Sequence, residues 1–338
     1  MGSVKRSVLE KNSFVDGDIY FLLCLFFKLI LMNLKSLLSR FQLARKNKNY
    51  DPVVIKKLLA IRHQFFKNQQ RHNFYLMPFS VWPAMIGISA FTTVCGFVMY
   101  LQSHVFGFFI FFFGFVFLVA VFVLWCRDIV REAVIFRVHS NKVQQGFRYG
   151  MLLFIASEVM FFFAFFWAFF SSSLSPSIWV GGQWPPVGIP SINPLGVPLA
   201  NTIILVVSGF TVTLSHAFIR QNRIEESLFA LFVTVLLAFL FLFWQFIEYR
   251  TAQFHINDGI YGSVFYMTTG FHGFHVIVGT IWLCVCFYRL LAGHFSANRH
   301  FGFEAAIWYW HFVDIVWIFL FFFVYCWGNS VGQFLPAA

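Results

Sequence analysis

Long apolar runs follow one another from residue 82 to residue 327, broken by short polar stretches. A helix that crosses the hydrocarbon of a bilayer needs about 20 mostly apolar residues. Seven stretches meet that need: 82–101, 105–126, 149–171, 199–219, 228–249, 260–289 and 304–327. The pattern predicts an all-α integral membrane protein with seven transmembrane helices. Between the third and fourth runs, residues 172–198 carry no charge and hold six of the ten prolines, which predicts a rigid, irregular cap on the membrane surface.

The basic residues test this count. Fourteen precede the first run; Arg127, Arg131, Arg137, Lys142 and Arg148 follow the second; Arg220 and Arg223 follow the fourth; Arg289 and Arg299 follow the sixth. Only Arg250 falls on the other side. Positive residues mark the cytoplasmic or matrix face. The N-terminus is therefore expected on that face and the C-terminus on the opposite one. A wrong number of spans would scramble the asymmetry.

Residues 1–70 differ from the rest. The apolar stretch 19–32 is short for a span and contains Lys28, whose insertion costs about 2.5–3.5 kcal/mol at a helix centre. It is expected to form an interfacial or partner-covered helix, with an eighth span as the alternative. Asp51-Pro52 offers an N-cap followed by proline at the first helical position. Val54, Leu58, Ile61 and Phe65 then recur at helical spacing among Lys56, Lys57 and Arg62, which predicts a basic amphipathic helix. The chain thus divides into an extension, 1–70, and a seven-helix domain, 71–338.

Composition narrows the class. Charged residues make up 11% of the chain, against about 25% in soluble domains. The net charge of +11 would suggest nucleic acid in a soluble protein, but here it follows topology, so no nucleic-acid partner is expected. The 52 phenylalanines suit lipid-facing positions. The six cysteines show no CxxC and no regular spacing, so neither a disulfide framework nor a zinc site is expected. The first 18 residues mix Lys5, Arg6 and Lys11 with Glu10, Asp16 and Asp18, unlike a secretory signal.

Ionisable residues inside the membrane are expensive and require a reason. Glu158 has no basic residue near it in its own helix. It is either a proton-linked or lipid-contacting carboxyl, or one hydrogen-bonded to another helix. His272 and His275 share a helical face, as a metal or haem site or as interhelical hydrogen-bonding residues. Glu304, His311 and Asp314 form a polar stripe on the last span, either a proton relay or a device that sets packing register. His216 admits the same two readings. The basic loop holding Arg127, Arg131, Arg137 and His139 supplies matrix-side charge and suits a phospholipid head group. There is no ExxH pair, no GxxxxGK[ST] and no CxxxC, so no catalytic residue and no metal centre is expected.

Longer strings carry a resemblance. They are Arg148-Tyr149-Gly150-Met151 with Ser157-Glu158-Val159, Asp258-Gly259-Ile260-Tyr261-Gly262-Ser263 with Thr269-Gly270-Phe271-His272-Gly273-Phe274-His275, and His300-Phe301-Gly302-Phe303-Glu304 with Trp308-Tyr309-Trp310-His311-Phe312-Val313-Asp314. In this order, and with Trp125, Arg127-Asp128 and Arg131-Glu132, they resemble subunit III of cytochrome c oxidase from about Arg71 to Gly328.

The resemblance implies seven helices split two and five around a V-shaped cleft filled with phospholipid. It implies an accessory subunit packed on subunit I near a proton-uptake path, with subunit II and accessory subunits nearby. Haem a and copper reside in the partner subunits. It implies lipid contacts at Arg131, His139, Glu158 and Arg289, the last with an anionic lipid such as cardiolipin; phosphatidylethanolamine or phosphatidylglycerol would fill the cleft. The mitochondrial inner membrane is the expected location, a bacterial plasma membrane the alternative. The extension has no counterpart in typical members and is expected to meet extra subunits or a neighbouring respiratory complex. Cys126 stands where many relatives carry a second Trp. The rival functions are subunit III of a quinol oxidase, an independent membrane transporter, and a haem-binding electron carrier.

Overall fold

The computed structural model describes residues 74–77, 79–136 and 138–328. The two helices expected within residues 1–70 lie outside the described residues. Within them the structure is helical, and seven helices are long and apolar enough to cross a membrane. These are α1 (Trp82–Leu101), α2 (Gly107–Arg131), α3 (Asn141–Leu174), α4 (Val197–Arg220), α5 (Ile224–Thr251), α6 (Gly259–Leu291) and α7 (Phe301–Phe319). Two of them run on as π-helical turns, α2 through Glu132–Phe136 and α7 through Leu320–Trp327.

The hydropathy runs locate the helices but understate several. The α3 helix starts at Asn141, eight residues before its apolar run, and its 34 residues span about 51 Å at 1.5 Å per residue. That exceeds the hydrocarbon thickness of about 30 Å, so its first turns project from the bilayer. Ser140 begins it, its hydroxyl accepting from the Val143 N–H at 3.4 Å. The expected basic loop is consequently corrected. Arg127, Asp128, Arg131 and Glu132 continue α2, while Lys142 and Arg148 open α3. Hydropathy detects contact with lipid; backbone hydrogen bonding continues past it.

Helices α1 and α2 form a hairpin packed through small residues. Ser89 and Gly96 are the buried positions of α1, and Gly107, Gly114 and Val121 those of α2. Each set repeats every seven residues, the period of a left-handed helix pair. Close approach demands this. A Cβ on Gly96 would stand 2.6 Å from the Phe111 Cα, and one on Gly114 would stand 2.8 Å from the Thr93 amide. Without a hydrophobic force between helices in lipid, such backbone contact is how they bind.

Helices α3 to α7 pack as a second group, in which α4 pairs with α5 and α6 with α7. Trp310, Trp317, Phe241, Leu231 and Val212 are fully enclosed there. Among the described residues the hairpin makes no comparable packing against this bundle. Only 11–17% of the spanning windows of α1 to α3 is buried within the chain, against 39–56% for α4 to α7. Among the described residues, the first three helices therefore leave most of their apolar surface uncovered. The proline-rich segment after α3 folds over the bundle, with Trp184 buried between the rings of Phe169 and Tyr261 at 5.8 and 5.2 Å.

Candidate functional site

The polar residues predicted inside the membrane are brought together in pairs that join helices. Glu158 of α3 and His275 of α6 meet with 2.9 Å between Oε2 and Nε2. The other ring nitrogen, Nδ1, lies 2.6 Å from the Phe271 carbonyl oxygen. A carbonyl only accepts, so Nδ1 carries a proton. The nitrogen facing Glu158 is then bare unless the ring is cationic, and the pair shares one proton across the gap. Phe162 stands edge-on to His275 at 5.0 Å and Tyr309 stacks at 6.2 Å. In such apolar surroundings a polar contact is electrostatically stronger than in water. Glu158 keeps 22% of its side chain exposed, so one side faces outward from the bundle.

His272 shares a helical face with His275 but serves another neighbour. Its Nε2–H donates to the Val313 carbonyl of α7 at 3.2 Å, and the ring is buried between Phe241 and Trp317. The two histidines thus bond to different helices.

The stripe on α7 also divides. His311 and Asp314 face α4: His311 Nε2 is 3.2 Å from the Thr213 hydroxyl, and its Nδ1 is 3.6 Å from Asp314 Oδ2. Gly209 leaves the room, since a Cβ there would stand 2.6 Å from that carboxylate oxygen. Glu304 instead turns to α3. Arg148 donates to its Oε2 through Nε at 3.0 Å and Nη2 at 2.9 Å. His300 Nε2 lies 3.4 Å from the other oxygen, Oε1. His216 of α4 completes the group, its Nε2 3.0 Å from that of His300.

At the end of the hairpin, Asp128 gathers three partners. The Trp82 indole N–H donates to it at 3.0 Å, Arg127 pairs with it at 3.2 Å, and Arg131 approaches to 3.8 Å. Arg131 remains more than half exposed. His139 lies in the short connection to α3, with its ring against Phe147 at 5.1 Å and Tyr75 at 5.8 Å. Burial lowers its pKa below the ordinary imidazole value. The Tyr75 hydroxyl donates to Glu132, and burial followed by that carboxylate raises its pKa. Arg289, in the last turn of α6, lies over the Phe295 ring at 4.4 Å. Its Nε is buried without a hydrogen-bond partner. Burial, then the nearby guanidinium, lowers the pKa of His294 beside it.

Sequence reasoning missed one buried carboxyl. Glu248 sits near the end of α5, where a span boundary hides it. Its Oε1 accepts from the Tyr325 hydroxyl at 2.6 Å and from the Gln245 amide at 3.2 Å, and Gln245 in turn accepts from Asn201 at 3.4 Å. This network joins α4, α5 and the end of α7. Spacing in α5 gave a partial signal, because Gln245 and Glu248 stand three residues apart on one face. His300 was likewise outside the predicted stripe, lying just before the last apolar run.

Comparison with known proteins identifies the family. The family model of cytochrome c oxidase subunit III matches residues 72–329. Cytochrome c oxidase subunit 3 of Chondrus crispus is 51% identical over 267 residues, covering 79% of this chain and 98% of the relative. That of Arabidopsis thaliana is 49% identical over 260 residues, covering 77% and 98%. That of Coturnix japonica is 48% identical over 260 residues, covering 77% and 99%. The matched region contains all seven helices and every polar pair above, and the chain belongs to the cytochrome c oxidase subunit III family.

Proposed function

We propose that this chain is an accessory subunit of cytochrome c oxidase that stabilises subunit I and holds phospholipid beside it. Partner subunits supply haem a and copper, on which oxygen is reduced to water with electrons from cytochrome c. The contribution of this chain is physical. Five helices are tied into one body, while α1 to α3 present large apolar faces to lipid or to subunits I and II. The observation that carries this reading is the division of the fold into a hairpin and a bundle with little packing between them. Apolar helix faces left unpacked in this way suit acyl chains.

Head groups meet chemistry that suits them. Exposed Arg131 and the adjoining His139 stand where α2 leaves the membrane. Arg289, half-buried in the last turn of α6, offers the accessible part of its guanidinium to an anionic lipid such as cardiolipin. Glu158, partly exposed, faces outward and accepts from a lipid amine, as in phosphatidylethanolamine; phosphatidylglycerol is the alternative filling. On this reading the chain lies in the mitochondrial inner membrane, and the excess of Lys and Arg on one face supports an N-terminus on the matrix side. Residues 1–70 lie outside the match to the family and meet accessory subunits or a neighbouring respiratory complex through their basic amphipathic segment.

The test is purification in mild detergent through a tag on this chain, with mass spectrometry, a visible spectrum and phospholipid analysis. Haem a, the other oxidase subunits and retained phospholipid are expected together. A colourless solitary chain from intact membranes would refute the assignment.

A further inference from the structure

We infer that His216, His300 and Glu304 form a binding site for a divalent transition-metal ion of the zinc class, bridging α4 and α7. One ligand atom from each residue, Nε2 of the two histidines and an oxygen of Glu304, lies within 4.8 Å of the others. Zinc bonds of about 2.0–2.1 Å in tetrahedral geometry place neighbouring ligand atoms about 3.3 Å apart. The separations of 3.0 Å between the histidine nitrogens and 3.4 Å from His300 to Glu304 fit such edges. Two imidazoles and a carboxylate also suit zinc chemically.

The surroundings orient these atoms. His300 donates through Nδ1–H to the Ser296 carbonyl at 2.9 Å. Its Nε2 is therefore bare in the neutral ring and turns a lone pair toward the other two groups. Arg148 occupies only Oε2 of Glu304 and leaves Oε1 facing inward. Two lone-pair atoms thus converge on His216, and in the apo state a single His216 proton serves the histidine pair. Binding the ion releases that proton and replaces it with a shared cation. Arg148 and the exposed Arg220, one turn beyond His216, add positive charge nearby. They weaken the site relative to an all-anionic one. His300 lies just before the last predicted span, outside the polar stripe read from the sequence, and no metal was expected on this chain. The ion proposed has no redox role.

The intact complex, purified through a tag on this chain and washed with chelator, is dialysed against radioactive zinc. Wild type and Glu158→Gln are expected to bind the same number of ions. His216→Gln is expected to lose one equivalent or to bind it at least about tenfold more weakly. Equal binding by His216→Gln and wild type overturns the inference. Anomalous scattering at the zinc edge, from zinc-soaked wild-type crystals, needs no variant. A peak about 2.0–2.2 Å from all three ligand atoms is expected. No peak there overturns the site even where His216→Gln fails to assemble.

Discussion

Replacing Glu158 separates the chemistry of its pair from mere bulk. The pair holds one proton, with His275 Nδ1–H already committed to the Phe271 carbonyl. In Glu158→Gln the new amide can donate to the bare Nε2 of neutral His275, so the interhelical bond survives. In Glu158→Ala nothing reaches that nitrogen, which then faces Phe162 and Tyr309. Interhelical hydrogen bonds in membranes average about 0.6 kcal/mol and reach about 1.7 kcal/mol. Because Glu158 retains 22% exposure, water or lipid relieves part of the loss. We therefore expect Glu158→Ala to cost about 1 kcal/mol and Glu158→Gln well under half of that. Thermal loss of this subunit from the purified complex measures the stability. Infrared difference spectroscopy reads the carboxyl directly, through a carbonyl stretch present only when Glu158 is protonated. Equal destabilisation by Gln and Ala would refute the reasoning, since it would mean that the bond requires a carboxylate facing an imidazolium. The lipid reading adds a second readout: Glu158→Gln is expected to shorten the active lifetime during turnover and to lower lipid occupancy.

Other expectations follow from packing and charge. Gly96→Val sets side-chain atoms against the Phe111 backbone, which cannot rotate away, and is expected to cost about 1–3 kcal/mol; a drop in subunit yield no larger than that of Gly87→Val, which meets open space, would count against it. Glu248→Gln is expected to be tolerated because an amide oxygen still accepts from Tyr325, whereas Glu248→Leu strands Tyr325 and Gln245 at about 1–3 kcal/mol in a thermal assay. His139 has a folded pKa below its unfolded value, so it favours the folded state above about pH 6.5 and loses that contribution as pH falls from there through the folded pKa. His139→Phe, keeping the ring contacts, is expected to flatten that part of the pH–stability curve; an unchanged slope would exclude burial of His139 as its source.

The number of helices was legible because lipid imposes one rule on every span. The rule weakens where a helix leaves the bilayer, which explains the hidden starts of α3 and the continuation of α2 past Arg131. The polar residues were legible as residues and illegible as pairs. Glu158 and His275 are 117 positions apart, and Arg148 and Glu304 are 156 apart. Periodicity places each on a face of its own helix but does not say which helix comes opposite. His272 and His275 show the limit: three positions apart, they bond to different neighbours. Glu248 escaped because the same residue at a span end reads as interfacial, although Tyr325 and Gln245 enclose it.

The two parts of the fold are held by different forces, and this governs how they respond to losing lipid. The bundle has hydrogen bonds at several depths, from Glu248 with Tyr325 through Glu158 with His275 to Arg148 with Glu304. The hairpin relies on backbone contact at its glycines and on the Trp82–Asp128 bond at one end. Among the described residues little of its surface is covered by the bundle, and under the proposed function lipid beside it holds it in position. Stripping phospholipid is therefore expected to free the hairpin first and to leave the bundle intact. Three cysteines report on this. Cys95 of α1 and Cys126 of α2 are half-buried, whereas Cys286 of α6 is fully enclosed. Delipidation is expected to raise maleimide labelling of Cys95 and Cys126 several-fold while Cys286 stays unlabelled. If Cys286 becomes reactive in step with the other two, lipid supports the whole subunit, and the hairpin has no separate dependence on it.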